Sequence, residues 1–164
     1  MNVLWSYFWP IFAACLVIGA IAGTLAFHQK RNLTLAIGAA LAIAAAGLWH
    51  GPLGAADRLS TRVERGAHQA LDYYEMTKVT ARLHRHPLSR QLTLAGPADD
   101  FQRGELVRVL DQLPGVSNVS WSNGSGGLPL IAEAALLAVI GFLVGLVLAY
   151  LVQLRRRYNA QWKW

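Results

Sequence analysis

Two histidines, His84 and His86, come closest to a metal site in this sequence. Side chains two positions apart on a β-strand point to the same face, so the two imidazoles could share one ion. No cysteine accompanies them, and no carboxylate stands at a recognisable ligand spacing. We therefore expect no metal here and interpret the pair as part of an exposed basic strand.

Arginines close to this pair could bind anions. Arg82, Arg85 and Arg90 predict either a solvated basic face or, if that face lies against a bilayer, a contact with anionic lipid headgroups. A second basic cluster, Arg155, Arg156 and Arg157, predicts a further headgroup contact and a topology signal. Both interpretations of the first cluster stay open.

Glu133 is the one acidic residue inside the long apolar segments of the chain. An ionisable group within a membrane is by default a functional candidate. Glu133 follows Pro129 by about one helical turn, where the positive end of a helix dipole and the membrane interface both favour a carboxylate. We expect an interfacial role, with an intramembrane polar contact to another subunit as the alternative.

Catalytic machinery is not recognisable in the sequence. There is no nucleophile placed beside a base, and the glycine-rich stretch at 124–127 lacks the lysine of a phosphate loop. We therefore expect no enzyme activity, no catalytic residues and no cofactor.

Long apolar segments must position these side chains. The chain has 164 residues, 54% of them hydrophobic, which exceeds the usual share in soluble domains. Three segments, 3–27, 33–56 and 128–152, are each long enough to cross about 30 Å of hydrocarbon. The prediction is an α-helical membrane protein with three transmembrane helices.

The distribution of charge predicts how these helices are oriented. The polar insert 57–127 carries nine basic and eight acidic residues, so the net charge of +6 arises from the flanks of the spans. Short basic flanks stay in the cytoplasm, which places the loop after residue 27 and the tail 153–164 there. The N-terminus and 57–127 then face away from the cytoplasm. A nearly neutral insert also argues against nucleic-acid binding.

Small residues recur at four-residue spacing in the apolar segments. The pairs Gly19/Gly23 and Gly141/Gly145 predict flat helix surfaces that let another backbone approach closely. A row of alanines in the second segment, Ala36, Ala40 and Ala44, predicts a similar surface. The partner helix can belong to the same chain, to a second copy or to another membrane protein.

The insert itself predicts a small α+β domain in the order α-β-β-α-β. Period-four apolar spacing indicates a helix over 57–76, and alternation indicates strands over 79–83 and 91–95. Asp99 or Asp100 can cap a second helix, and a third strand follows over 116–121. Residues 123–127 form a Gly/Ser linker to the third span. Apolar residues of the two helices are predicted to face the core of the domain. They are Leu59, Val63, Ala67, Leu71, Tyr74, Phe101, Leu106, Val109, Leu110 and Leu113. Trp121 either seals the core or meets the membrane surface.

Two short motifs within 57–122 resemble those of the BON domain, a module of bacterial envelope proteins. The first is Leu92-Thr-Leu94-Ala-Gly96, and the second is Gly115-Val116 followed by Val119. The resemblance implies a periplasmic domain that binds phospholipid or neighbouring envelope proteins without catalysis. In some family members a peptidoglycan-binding domain follows, and we expect none in this chain.

Two hypotheses of function follow. The first is an inner-membrane protein that presents a periplasmic BON-like domain for phospholipid or protein contact. The second is a small accessory subunit of a larger integral-membrane complex, bound through its transmembrane helices. Both involve membrane lipids, with an integral-membrane partner or a homo-oligomer expected.

Overall fold

The computed structural model of the protein describes residues 3–27, 31–121 and 127–161. It is 70% helical and contains a three-stranded sheet. The elements along the chain are α1 Val3–Ala26, α2 Arg31–His50, α3 Ala55–Tyr73, β1 Thr80–Arg85, β2 Leu88–Ala95, α4 Asp100–Leu110, β3 Asn118–Ser120 and α5 Leu130–Gln161. The chain forms two compact units. The extramembrane unit comprises Met1–Tyr7 and Gly54–Glu133, and the helical unit comprises Phe8–Leu53 and Ala134–Trp164.

Three helices within the described residues, α1, α2 and α5, are long and apolar enough to cross a membrane. This finding confirms that the chain is a membrane protein. The predicted limit of the second span was wrong, because α2 ends at His50 and not at residue 56. Gly51 and Pro52 are poor helix residues, and the chain turns there before α3 begins at Ala55.

The third apolar helix differs from the prediction in its length. Helix α5 continues to Gln161, beyond the predicted end at residue 152. Its last turns contain Arg155, Arg156 and Arg157, and arginine is a good helix former. Most of the tail predicted for 153–164 is therefore helical. The predicted linker 123–127 and the basic loop after residue 27 fall largely outside the described residues.

Glycines allow α1 and α5 to pack closely within the helical unit. A Cβ atom added to Gly19 would overlap the carbonyl oxygen of Phe142, and one added to Gly145 would overlap that of Leu16. Side chains larger than hydrogen at these two positions would push the two backbones apart. Of the partner helices that the sequence left open, the structure shows one of the same chain.

The other glycine of each pair, Gly23 or Gly141, also faces this contact, but Gly23 departs from the prediction. A Cβ on Gly141 would lie 2.8 Å from the carbonyl oxygen of Phe12, so Gly141 meets backbone as expected. Gly23 is buried, and a Cβ there would lie 2.6 Å from the Cβ of Ala149 on α5. The nearest atom to Gly23 therefore belongs to a side chain and not to another backbone. Because Gly23 has no Cβ, the methyl group of Ala149 fits against it. The four-residue spacing of the glycines does not predict this contact.

Helix α2 packs through a different row of small residues from the one that the sequence suggested. Gly38, Ala42 and Ala46 are its buried positions, and the thiol of Cys15 lies 3.6 Å from the carbonyl oxygen of Ala42. The alanines at 36, 40 and 44 are exposed on the surface of the helical unit. Because a helix has 3.6 residues per turn, rows two positions apart point in very different directions.

The extramembrane unit contains the element order that the sequence predicted, α-β-β-α-β. Its sheet has the order β1-β2-β3, with β1 antiparallel and β3 parallel to the central β2. Leu92, Leu94 and Val119 are buried, as are Leu59, Val63, Ala67 and Leu71 of α3 and Leu106 and Leu110 of α4. These side chains form a core between the sheet and α3 and α4.

The element boundaries depart from the predicted ones at several positions. Strand β2 begins at Leu88, where a loop was predicted, and β3 contains only Asn118–Ser120, so Val116 precedes it. Helix α4 ends at Leu110, so Leu113 lies beyond it. The Pro114–Gly115 turn starts earlier than the apolar spacing suggested, because the backbone N–H of Leu113 already bonds to the carbonyl of Leu110.

The start of α4 is held by a reciprocal cap on Asp99. The Oδ1 atom of Asp99 accepts a hydrogen bond of 2.7 Å from the N–H of Gln102. The side-chain oxygen of Gln102 in turn accepts one of 3.1 Å from the N–H of Asp99. This capping box satisfies two backbone donors that a helix otherwise leaves unpaired.

Two side chains predicted to face the core are instead exposed. Tyr74 follows the last residue of α3, and Phe101 is the second residue of α4. Both extend past the part of each helix that covers the sheet, so neither reaches the core. The apolar stripes of the two helices were therefore predicted about one turn too long.

Gly96 and Gly115 hold backbone conformations that other residues rarely adopt, with φ values of +140° and +108°. A Cβ on Gly96 would lie 2.6 Å from the carbonyl oxygen of Lys78, and one on Gly115 would lie 2.7 Å from Val63 Cγ2. Gly96→Ala and Gly115→Ala should each lower the free energy of unfolding of this unit by about 2 kcal/mol or more. Urea unfolding of the purified full chain in detergent, followed by circular dichroism, measures the change.

Gly104→Ala is the matched control. Gly104 lies inside α4, and a Cβ there meets nothing within 4 Å. The substitution should therefore raise stability by about 0.5–1 kcal/mol. Equal effects of alanine at positions 96 and 104 would contradict the assigned backbone geometry.

Candidate functional site

The hairpin end of the sheet lies beside the first turn of α5. The chain turns from β1 to β2 at a cis His86–Pro87 bond, and Ser89 then forms an isolated antiparallel bridge with Pro129. Pro129 directly precedes α5. The start of β2 is therefore joined to the start of a membrane helix. We call residues 84–88 the hairpin tip.

An ion pair strengthens this junction. The guanidinium Nε of Arg90 donates a hydrogen bond of 3.1 Å to Oε1 of Glu133 and lies 3.0 Å from Oε2 of the same carboxylate. Only 23% of the Arg90 side chain and 20% of the Glu133 side chain are exposed, so water screens the pair weakly. Glu133 thus has a partner within the chain, which the sequence interpretation had not considered.

The beginning of α1 belongs to the same unit. Arg62 of α3 donates from Nη1 to the hydroxyl oxygen of Ser6 at 3.0 Å. Tyr7, the next residue of α1, is buried. The extramembrane unit therefore holds the first residues of two membrane helices, α1 and α5.

Glu64 of α3 holds the outer edge of β1. Its Oε1 atom accepts a hydrogen bond of 3.1 Å from the backbone N–H of Leu83. The same carboxylate pairs with the guanidinium of Arg85 at 3.0 Å. An exposed strand edge invites pairing with other chains, and a side chain bonded to it prevents that.

The three arginines of the predicted lipid site do not form one cluster. Arg85 pairs with Glu64, and Arg90 points to the helix-covered side of the sheet and pairs with Glu133. Arg82 alternates with the buried Ala81 and Leu83, so it lies on the face of the sheet opposite α3 and α4, which we call the helix-free face. Partners distant in sequence thus hold two of the three arginines.

A concavity of about 420 Å³ lies along β1 and β2. It is lined by Thr80, Arg82, Leu83, His84, Arg85, His86, Thr93 and Ala95. None of these side chains is acidic, and two guanidinium groups and two imidazoles border the space. The concavity joins the helix-free face of the sheet to the hairpin tip, and its chemistry suits an anion.

The two histidines are not arranged as metal ligands. The pairing register shifts between Leu83 and Arg85, which interrupts the regular alternation that would put His84 and His86 on one face. The Nδ1 atom of His84 lies 3.1 Å from the carbonyl oxygen of Pro87, and a carbonyl can only accept. Among the described residues there is no group of three or more His, Cys, Asp or Glu side chains that could hold a metal.

Polar side chains of the helix-free face are partly buried at the central strand. Gln91 lies on β2 between two neighbouring strands and donates from Nε2 to the hydroxyl oxygen of Ser120 at 3.0 Å. It is buried, although its alternation with Leu92 suggested an exposed position. Side chains on a central strand are less exposed to solvent than those on an edge strand, on both faces of the sheet. Alternation of apolar and polar residues does not indicate whether a strand is central.

Trp121 contacts α4. Its indole N–H donates to the carbonyl oxygen of Arg103 at 3.2 Å, and the Arg103 guanidinium lies 5.3 Å from the ring centroid. This stacking is a cation–π contact. Trp121 therefore contacts α4 of its own domain.

Arg155, Arg156 and Arg157 are exposed on the last turns of α5, in the helical unit. Arg155 and Arg157 line a shallow concavity of about 540 Å³ together with Leu151, Leu154 and Tyr158. Apolar side chains beside guanidinium groups are typical of a helix that leaves the hydrocarbon and enters the headgroup layer.

We compared the chain with known protein families, curated proteins and solved structures. No family model matches the chain, and neither the curated proteins nor the solved structures contain a significant match.

The ion pair at the junction predicts a measurable coupling. A double-mutant cycle with Arg90→Met and Glu133→Gln should give a coupling energy of about 1–3 kcal/mol, because the two groups are mostly shielded from water. Urea unfolding of the full chain in detergent supplies the four free energies.

Arg108 and Glu105 supply the matched control cycle. These side chains are one turn apart on α4, 3.6 Å from each other and largely exposed. Their coupling should stay below about 0.5 kcal/mol. Coupling at the junction no larger than this would show that Arg90 and Glu133 do not hold β2 to α5.

Proposed function

We propose that this chain is a bacterial inner-membrane protein whose periplasmic, BON-like domain contacts anionic phospholipid headgroups. The contact is made by the hairpin tip and by the basic concavity beside it. No catalytic step is part of this function. The observation that carries the proposal is the attachment of β2 to the first turn of α5 through Ser89 and Arg90.

The position of the hairpin tip supports lipid contact. Pro129 and Glu133 mark the first turn of a helix that is apolar enough to span a bilayer. Carboxylates and prolines at such a position are favoured near the membrane surface. A hairpin joined to that turn lies at the depth of the headgroups.

Charge supports the same conclusion. Arg82, His84, Arg85 and His86 border the concavity, and no acidic side chain lines it. An arginine close to an anionic membrane surface contributes about 1 kcal/mol of attraction. Because Arg85 is already paired with Glu64, Arg82 is the side chain best placed to supply the charge.

The topology is supported by two independent features. Helices α1 and α5 both begin in the extramembrane unit, so we infer that both enter the membrane from the side of the domain. Arg155, Arg156 and Arg157 stand at the other end of α5. Basic residues are retained in the cytoplasm, which puts the domain in the periplasm.

The assignment to a BON-like domain draws on sequence motifs and on element order. Leu92 and Leu94 lie in β2 and Gly96 follows it, while Gly115 lies between α4 and β3. The two glycines occupy turns that require positive φ. The α-β-β-α-β order is the order that the resemblance implies.

A second candidate function is that of an accessory subunit bound through its membrane helices. It is favoured by the exposed row Ala36, Ala40 and Ala44 on α2, where a foreign helix could approach closely. A stoichiometric large membrane protein that copurifies in mild detergent, and is lost in Ala40→Leu, would favour this candidate.

The lipid proposal predicts slower amide exchange at the hairpin on anionic membranes. The full chain is placed in nanodiscs of phosphatidylcholine alone or with about 30% phosphatidylglycerol. Hydrogen–deuterium exchange of residues 80–88 should slow by about fivefold in the anionic discs, which corresponds to roughly 1 kcal/mol. Arg82→Gln should remove most of this difference.

Arg65→Gln is the control with the same loss of charge. Arg65 is exposed on α3, away from the concavity. This variant should keep the full effect of the anionic lipid. Equal exchange of residues 80–88 in both kinds of disc would argue against headgroup contact by the hairpin.

A further inference from the structure

Within residues 55–121, exposed aromatic side chains occur near the termini of two helices. The structure describes 55–121 throughout, and the large hydrophobic side chains exposed in this range are Tyr73, Tyr74 and Phe101. Tyr73 is 82% exposed, Phe101 78% and Tyr74 47%. We call these three residues the distal aromatic surface.

Chain connectivity places this surface at the end of the domain opposite the hairpin tip. Tyr73 and Tyr74 end α3, and a short turn leads from them to Thr80 at the start of β1. Phe101 begins α4, shortly after Ala95 at the end of β2. Thr80 and Ala95 are register partners at the end of the ladder away from residues 85 and 88.

The three residues belong to the helix termini that lie at that end of the domain. Helix α3 runs toward it and α4 runs away from it, so the end of one and the start of the other are both there. Tyr73 and Tyr74 are in edge-to-face contact, with ring centroids 5.3 Å apart. The two tyrosine rings therefore form one continuous aromatic patch.

Aromatic residues in such a position are typical of protein interfaces. Tyrosine is enriched among the side chains that dominate binding energy, and Phe is enriched in interface cores. A bilayer cannot cover this surface while the hairpin tip lies at the membrane, because the two are at opposite ends of the sheet. A protein is the occupant that fits.

The charge around the surface specifies the partner further. Asp72, Glu75, Asp99 and Asp100 are exposed near the three aromatic residues in sequence. The exposed basic residues there are Lys78 and Arg103, so carboxylates outnumber cations by four to two. A rim of carboxylates attracts a basic partner and repels an acidic one.

We propose that the distal aromatic surface binds a second protein that has an apolar pocket bordered by lysine or arginine side chains. The domain then contacts lipid at one end and a protein at the other. This inference rests on the proposed lipid contact in one respect, because a hairpin tip at the membrane leaves the opposite end of the domain to a protein.

Photocrosslinking in cells that express the full chain tests the proposal. The photoreactive amino acid p-benzoylphenylalanine replaces Tyr74, and in separate experiments it replaces Gln112, an exposed control residue beyond the end of α4. Position 74 should give a discrete adduct with one other protein, and position 112 should not. The mass of the adduct should differ from that of two copies of this chain.

A charge reversal tests the predicted chemistry of the partner. Asp72→Lys, beside the surface, should reduce the adduct at position 74 by about fivefold, because it places a cation against a basic rim. Asp111→Lys makes the same change at the far end of α4 and should have no effect. Tyr73→Ser with Phe101→Ser should also abolish the adduct, with an unchanged unfolding midpoint because both side chains are exposed.

Four results would overturn the proposal. They are absence of an adduct at position 74, an equal adduct at position 112, an adduct with lipid or with a second copy of this chain, and an adduct that Asp72→Lys leaves unchanged. Lipid labelling at position 74 would show that the distal end, and not the hairpin tip, meets the membrane.

Discussion

The attachment of β2 to the first turn of α5 is the constraint on which the rest of the structure depends. A domain of fewer than about 80 residues has a small core, and anchoring it to membrane helices limits its motion. The Ser89–Pro129 bridge and the Arg90–Glu133 ion pair act together at this point. Because a strand is rigid along its length, fixing one end of β2 also fixes where the other end points.

This attachment gives the two ends of the domain different surroundings. The hairpin end carries arginines and histidines without lining carboxylates, and it stands where α5 begins. The opposite end carries exposed aromatic rings among carboxylates. One end therefore suits an anionic membrane and the other a basic protein surface. The two proposed contacts, one with lipid and one with a protein, use these two ends.

Periodic features of the sequence predicted the three membrane helices and the α-β-β-α-β order, because hydrophobic spacing reports directly on local structure. Contacts between distant residues were not predictable in this way. Glu133 and Arg90 are 43 positions apart, and nothing in their spacing indicates that they meet. Phe101 matched an apolar stripe yet is exposed, since spacing cannot show where the underlying sheet ends. Arg82, Arg85 and Arg90 are close in sequence, but the ion pairs of Arg85 with Glu64 and of Arg90 with Glu133 hold these side chains at different places.

The depth of the two ends of the domain relative to the bilayer tests this account most directly. A fluorophore is attached to cysteine at position 86 or 73 in a Cys15→Ala background, and headgroup spin-labelled lipid serves as the quencher. The hairpin spans about 16 Å along β1, so the two labels differ clearly in depth. The account predicts strong quenching at position 86 and little at position 73. Equal quenching at both positions, or stronger quenching at position 73, would contradict it.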